Sequence, residues 1–238
     1  MITKEQISEL KQFDSPTICN AIECFNLRPR SAGFLPPQIH EIIPYDEPII
    51  GYAATGKFST RYQAENPISM AGYYHHVQDI GKPSISVLED IDDELCAALW
   101  GEVNAQIHMC LGCVGTVTNG GVRDVKEAKE LGFRYYASCV AVSHGYIHLT
   151  DYACPVTLFG VEVKPGELLF CDSQGIVVIP EECLPKLAEA CRAMIDAELP
   201  VLKHTRAALA EGREIDVGDL QAWKCEMAKA RSAYQPKL

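Results

Sequence analysis

GTVTNGGVRDVKEAKELGF, residues 115–133, carries two periodicities across one glycine turn. Ahead of the turn, Val114, Thr116, Val117 and Thr118 are β-branched and predict a buried strand. Behind it, Val125, Ala128 and Leu131 recur at helical spacing, and Gly132 stands where a helix C-cap glycine belongs. A strand, a turn and a helix in that order place Arg123 and Asp124 at the C-terminal end of the strand, where open α/β sheets present ligands. This one segment decides for an α/β fold.

Two readings of the Arg-Asp pair are open at this point. Asp124-Val125-Lys126-Glu127 has capping-box spacing, which makes Asp124 an ordinary helix N-cap worth about 1 kcal/mol and Arg123 a surface charge. Alternatively, a carboxylate at a strand tip suits a hard divalent cation, and a neighbouring guanidinium suits a carboxylate or a developing enolate. Taken alone, the motif leans to the first reading.

The α/β alternation extends in both directions. Thr3-Lys4-Glu5-Gln6 is a capping-box pattern opening a short helix, and Ser15-Pro16 caps a second one with Ile18, Ala21, Ile22 and Phe25 on one face. Ile49 to Phe58 and Ser84 to Leu88 read as strands, with a helix near Met70 to Gln78 between them. Apolar residues at 99, 103, 107 and 111 predict helix over at least the second half of Leu99 to Leu111. A strand follows near Tyr135 to Val142. In residues 155–180, Pro-Gly and Ser-Gln-Gly turns separate short apolar strands. From Glu181 the chain reads as helical, interrupted by Pro200 and Gly212. Without an internal repeat or a linker, the pattern predicts one domain over 1–238, with an N-terminal helix within 1–14 and a helical extension over 181–238.

Composition narrows the partners. The 238 residues are 47% hydrophobic and 22% charged, as in ordinary globular proteins. A net charge of −11 argues against nucleic acid, whose phosphates need a basic surface. Neither a signal-type leader nor a membrane-length apolar run is read in the sequence, so a cytoplasmic location and no membrane partner are expected. The eleven cysteines are odd in number and scattered, which suits reduced, mostly buried thiols. One CxxC, Cys110 to Cys113, straddles a helix end and lacks a second pair, so it reads as structural. His144 and His148 have i, i+4 spacing but lie among residues that suggest loop and strand, which removes the helical geometry of a metal pair.

A second element bears on Arg123 and Asp124. In ALWGEVNA, residues 98–105, Gly101 and Glu102 fall near a helix start, where unpaired backbone N–H groups can receive an anion. Glu102, twenty intervening residues, then Arg123-Asp124 form a pattern that resembles the RraA-like proteins and the 4-hydroxy-4-methyl-2-oxoglutarate/4-carboxy-4-hydroxy-2-oxoadipate aldolases. PVTLFGVEVKPGELLFCDSQGIVVIP, residues 155–180, is similar to that family's second signature, and the resemblance runs from about Ser15 to Pro180. The chain departs from the family in four places: Glu102 for a frequent Asp, Gly121 for a frequent Ala, Phe159 for a glycine, and a different segment around HGYIHLTDY.

The resemblance implies a β/β/α fold like the swivelling phosphohistidine domain and a homotrimer, or a hexamer built from trimers. It implies a divalent cation, Mg²⁺ or Mn²⁺, held directly by Asp124 and through water by Glu102. Arg123 and the backbone amides of Gly101, Glu102, Val103 and Asn104 would hold a small 2-oxo acid. Retro-aldol cleavage and oxaloacetate decarboxylation would then share a metal-bound pyruvate enolate, with Arg123, Glu102 and Asp124 as the catalytic set. The general base is unassigned beyond a water near Glu102. A second expectation follows from shorter relatives that resemble regulators of RNase E, for which an acidic surface would engage a protein partner.

Overall fold

The computed structural model describes residues 1–95 and 97–236, so the last two residues of the expected C-terminal extension lie outside it. Two helices open the chain, α1 (Lys4–Leu10) and α2 (Ser15–Glu23). The expected capping box is formed: Gln6 N–H donates to Thr3 Oγ1 at 3.2 Å and Thr3 N–H to Gln6 Oε1 at 2.9 Å. The cap of α2 is Asp14 rather than Ser15, its Oδ1 accepting Thr17 N–H at 2.9 Å. Ser15 and Pro16 are thereby the first two helical residues, where a missing proline N–H removes no helical bond.

The strands and helices between follow in order: β1 (His40–Glu41), β2 (Ile49–Ser59), α3 (Met70–Asp79), β3 (Ser84–Asp90), β4 (Ala98–Trp100), α4 (Glu102–Cys110), β5 (Cys113–Thr118), β6 (Gly121–Val122), α5 (Val125–Leu131), β7 (Arg134–Ala137) and β8 (Cys139–Val140). They continue with β9 (His148–Tyr152), β10 (Val156–Leu158), β11 (Val161–Val163), β12 (Leu168–Asp172) and β13 (Gly175–Ile179). A 3-10 turn (Glu181–Cys183), α6 (Leu187–Glu211) and α7 (Val217–Ala233) complete the chain.

By contacts these elements fall into two compact units, Gly33–Ile179 with Met1, and Ile2–Ala32 with the chain from Pro180 onward. In the first, the main sheet runs β1-β7-β5-β3-β2-β12-β13, with β7, β5, β3 and β2 mutually parallel. Strand β2 pairs with β3 along one edge and with β12 and then β9 along the other. A second sheet, β4-β6-β8, is short and wholly parallel. The path alternates between them: β3 leads to β4, β5 to β6 and β7 to β8, with helices α4 and α5 returning the chain each time. This β/β/α repeat is the expected mixed α/β fold.

Side chains alternate across the main sheet, as a pleat requires. Tyr135 joins Trp100, Ala105, Ala128 and Phe133 in a buried cluster with residues of α3, α4 and α5. Tyr136 joins Val87, Val117, Val156 and Leu169 in another cluster. The helix expected over at least the second half of Leu99 to Leu111 is α4, and Gly101 separates it from Leu99, which lies in β4. One boundary differs from the sequence reading. The segment expected as one strand near Tyr135 is two, β7 and β8, lying in different sheets and broken at Ser138.

In the second unit α6 buries Leu187, Ala190, Cys191, Met194 and Ala197. Pro200 does not interrupt this helix but lies inside its 25 residues; Gly212 ends it. A proline there forfeits one backbone bond, and the apolar stripe before it keeps the helix in register. Arg192 pairs with Glu9 at 2.7 Å and Arg231 with Glu198 at 2.6 Å. No disulfide occurs among the described residues. Cys110 ends α4 and Cys113 opens β5, whose buried thiol donates to the Gly115 carbonyl at 3.1 Å and is pushed up to about 11 by burial. His144 sits in a loop and His148 opens β9, so neither is helical. Among the described residues no helix is long and apolar enough to cross a membrane.

Candidate active site

The small parallel sheet brings the two sequence elements together. Strands β4 and β6 are neighbours, with Ala98 opposite Gly121 and Trp100 opposite Val122. Each ends in a turn and runs at once into a helix, β4 through Gly101 into α4 and β6 through Arg123-Asp124 into α5. Because the strands are parallel, both helices start on the same side. Arg123 N–H donates to the Trp100 carbonyl at 2.8 Å, which extends the pairing up to the site.

Asp124 occupies the N-cap position of α5 with φ 54° and ψ 43°, and its side chain caps nothing on that helix. Aspartate is among the few non-glycine residues that tolerate this left-handed backbone. The turn aims the carboxylate across at α4, where Oδ2 accepts Glu102 N–H at 2.9 Å. The capping-box reading of Asp124 is therefore corrected: it caps the neighbouring helix. Arg123 Nε lies 3.7 Å from the same oxygen, and both side chains are a little over one-third exposed. A charge pair so open to water contributes little to stability, so a structural ion pair does not explain its placement.

Gly101 precedes α4 in an extended conformation and makes no side-chain cap of its own. A methyl group there would lie 2.5 Å from Asp124 Oδ2 and 3.2 Å from Arg123 Nε. Only a glycine lets the carboxylate approach the helix start. Val103 and Asn104 follow in the first turn, whose N–H groups lack intrahelical partners. The Val103 side chain is exposed, and Asn104 turns its Nδ2 to the Leu99 carbonyl at 3.4 Å. Glu102 folds back along α4, its Oε1 accepting Gln106 Nε2 at 2.8 Å. All six residues singled out from the sequence thus belong to one place, the paired starts of α4 and α5.

The donor set fits a hard cation of low protein ligation. Among the described residues no cluster of three or more His, Cys, Asp or Glu side chains could hold a metal ion. Two carboxylates at adjacent helix starts, Asp124 and Glu102, offer only oxygen, which suits Mg²⁺ or Mn²⁺ that keeps water and substrate as its remaining ligands.

Below the site is an aromatic layer that the sequence reading passed over. The Trp100 ring stacks on Phe133 at 5.8 Å and lies 4.4 Å from the His108 ring. His108 on α4 contacts the Asn104 carbonyl through Nδ1 at 2.7 Å, and burial pushes its pKa down to about 4. Phe133 meets Tyr135 edge-on at 6.0 Å. None of these positions has a polar pattern in the sequence; only the fold gathers them.

The model of the RraA-like family, described as Aldolase/RraA, matches residues 15–178. The chain belongs to the RraA-like family. It is 31% identical over 88 residues to the 4-hydroxy-4-methyl-2-oxoglutarate aldolase of Thermus thermophilus, an alignment covering 37% of this chain and 54% of that protein. It is 24% identical over 170 residues to Protein DlpA of Legionella pneumophila, covering 71% of this chain and 26% of DlpA. The chain thus spans about half of the one relative's length and about a quarter of the other's. The crystal structure of Streptomyces coelicolor RraAS2, a member of the RNase ES inhibitor RraA family, has the same fold, with a TM-score of 0.65 over 86% of this chain and 97% of that one at 18% identity. RraA-like relatives named as aldolases make a lyase the family-level expectation.

The departure at Phe159 has a visible consequence. Phe159 and Gly160 form the two-residue turn between β10 and β11, both with positive φ, 47° and 85°. That backbone suits glycine or asparagine and strains a phenylalanine.

Proposed function

We propose that this chain is a divalent-metal-dependent lyase that releases pyruvate from a small 2-oxo acid. The reading covers retro-aldol cleavage of 4-hydroxy-4-methyl-2-oxoglutarate or 4-carboxy-4-hydroxy-2-oxoadipate, and decarboxylation of oxaloacetate. The observation that carries it is the Asp124 carboxylate held against the first turn of α4, with Arg123 beside it. Asp124, and Glu102 through water, would hold the cation, which supplies Lewis-acid polarisation of the 2-oxo group when bound.

The chain's own groups account for binding and charge. Arg123 receives the substrate carboxylate next to the 2-oxo carbon, and the free N–H groups of Val103 and Asn104 add donors to the same anion. In the aldol case the proton of the 4-hydroxyl passes through water to Glu102. The O–H electrons form the new carbonyl, the C3–C4 bond breaks, and its electron pair spreads onto the 2-oxo oxygen. In the decarboxylation carbon dioxide leaves instead, and the same oxygen gains the charge. Arg123 would stabilise that oxygen, and protonation at C3 from water completes pyruvate.

The test is pyruvate release by the purified protein from oxaloacetate and from 4-hydroxy-4-methyl-2-oxoglutarate, with Mn²⁺ or with EDTA, for the native protein and Asp124→Ala. Turnover above the metal-only background, lost with EDTA and in the variant, is the expected result. Equal rates in EDTA, or no pyruvate from either acid, would contradict the proposal.

A further inference from the structure

Helix α6 carries two apolar stripes, and its own chain covers only one. Leu187, Ala190, Met194 and Ala197 are buried on one side of the helix. On another side Ile195, Leu199, Leu202, Arg206 and Leu209 follow at spacings of four, three, four and three residues, along about 21 Å of helix. Ile195 and Leu199 are 43% and 46% exposed, Leu209 is 81% exposed, and Leu202 is half-buried. Helix α7 does not cover this stripe, because it packs on the far side of α6, where His204 stacks on Trp223 at 4.4 Å. Alternating steps of four and three average the heptad period at which two helices pack along each other, whereas an outward face of an ordinary surface helix is polar.

We propose that this stripe is a seam by which α6 packs antiparallel on α6 of a second copy of the chain, about a two-fold axis. The charges select both the partner and the direction. Asp196 and Lys203 follow Ile195 and Leu202 at equivalent flanking positions, and both are exposed. Among the described residues Asp196, Lys203 and Arg206 form no ion pair within the chain, whereas Arg192 is taken by Glu9 and Glu198 by Arg231. With the helices antiparallel, Leu199 meets the partner's Leu202, and Asp196 and Lys203 face the partner's Lys203 and the partner's Asp196. Each Arg206 then lies over the partner's Ile195, beside the partner's Asp196. A parallel pair would set Arg206 against the partner's Arg206, where like charges repel. Two heptads are short for a free coiled coil, but each helix is already folded within its own unit, so association carries little ordering cost. A two-fold contact uses the same surface twice, so the assembly holds an even number of chains. The inference is independent of the chemistry at the starts of α4 and α5.

The experiment is sedimentation velocity over a range of micromolar concentrations, for the native protein, Leu199→Asp, Asp196→Lys, Lys203→Asp and the double variant Asp196→Lys/Lys203→Asp. Circular dichroism of each checks the fold, which these exposed positions should leave intact. The native protein is expected to sediment with an even number of chains, and Leu199→Asp with half that number. Each single charge reversal puts like charges opposite each other twice and should weaken the contact by about tenfold, and the double variant, which exchanges the two charges, should restore it. An odd-numbered or monomeric native protein, or an even-numbered one that Leu199→Asp leaves whole, would overturn the proposal. Single reversals without effect, or a double variant as weak as the singles, would overturn the antiparallel pairing and with it the choice of a second copy as the partner.

Discussion

The carboxylate of Asp124 accepts the backbone N–H of Glu102 at 2.9 Å, so a residue at the start of one helix caps the start of the preceding one. The left-handed backbone of Asp124 and the missing side chain of Gly101 are both needed for this contact. It fixes an acidic oxygen, a guanidinium and a helix N-terminus together.

Asp124→Asn separates the cap from the charge. Asparagine keeps an oxygen for Glu102 N–H and tolerates the left-handed backbone, so stability should change by less than about 1 kcal/mol. Pyruvate release should fall by about 10²-fold or more with the loss of the anionic ligand. A denaturant melt and a metal-saturated assay on the same preparation measure both. Retained turnover would make Asp124 a helix cap only.

Gly101→Ala puts a methyl group 2.5 Å from Asp124 Oδ2, and the carboxylate has to move. A displacement near 1 Å at a reacting centre costs about 10²-fold in rate. Kinetics of the variant should show that loss while its circular dichroism remains native. Activity close to native would mean that the Asp124–Glu102 contact does not matter to the chemistry.

Phe159→Asn should stabilise the protein by about 1 kcal/mol, since asparagine before Gly160 suits a turn with two positive φ angles. Phe159 is partly exposed, so little packing is lost. Chemical denaturation decides it, and a lower stability would show that the Phe159 ring has a packing role that outweighs the strain.

His108 gives a pH dependence with a definite sign. Its folded pKa, about 4, lies below the ordinary 6.5, because burial disfavours the charged ring. The native state therefore binds fewer protons than the unfolded chain in this window. The neutral ring's contribution is complete above pH 6.5 and is lost as the pH falls from 6.5 towards 4, by about 3 kcal/mol. His108→Gln should flatten that part of the stability profile. An unchanged slope would place the acid sensitivity elsewhere.

The order of strands and helices was legible because each run kept its own period, and the glycine turn at 119–121 marked where one gave way to the other. The six candidate site residues were legible as two separated motifs, Gly101 to Asn104 and Arg123-Asp124. Their contact was not, since pairing of β4 with β6 is a long-range event that neither segment encodes alone. The cap illustrates the same limit: Asp124-x-x-Glu127 has local capping spacing, yet a positive φ turns the carboxylate to another helix. Pro200 misled for a related reason, because its local penalty is outweighed by burial along α6. Tyr135 carried no signal at all, being one of two adjacent strand tyrosines whose opposite faces appear only once the sheet is formed.

The most direct test is crystallographic: crystals of the native protein soaked with Mn²⁺ and oxalate, a planar dianion that mimics the pyruvate enolate, with data collected for manganese anomalous scattering. The expected map has an anomalous peak about 2 Å from an Asp124 carboxylate oxygen, and oxalate on Arg123 and the first amides of α4. Manganese bound elsewhere or not at all, with Arg123 bare, would contradict the assignment of this site.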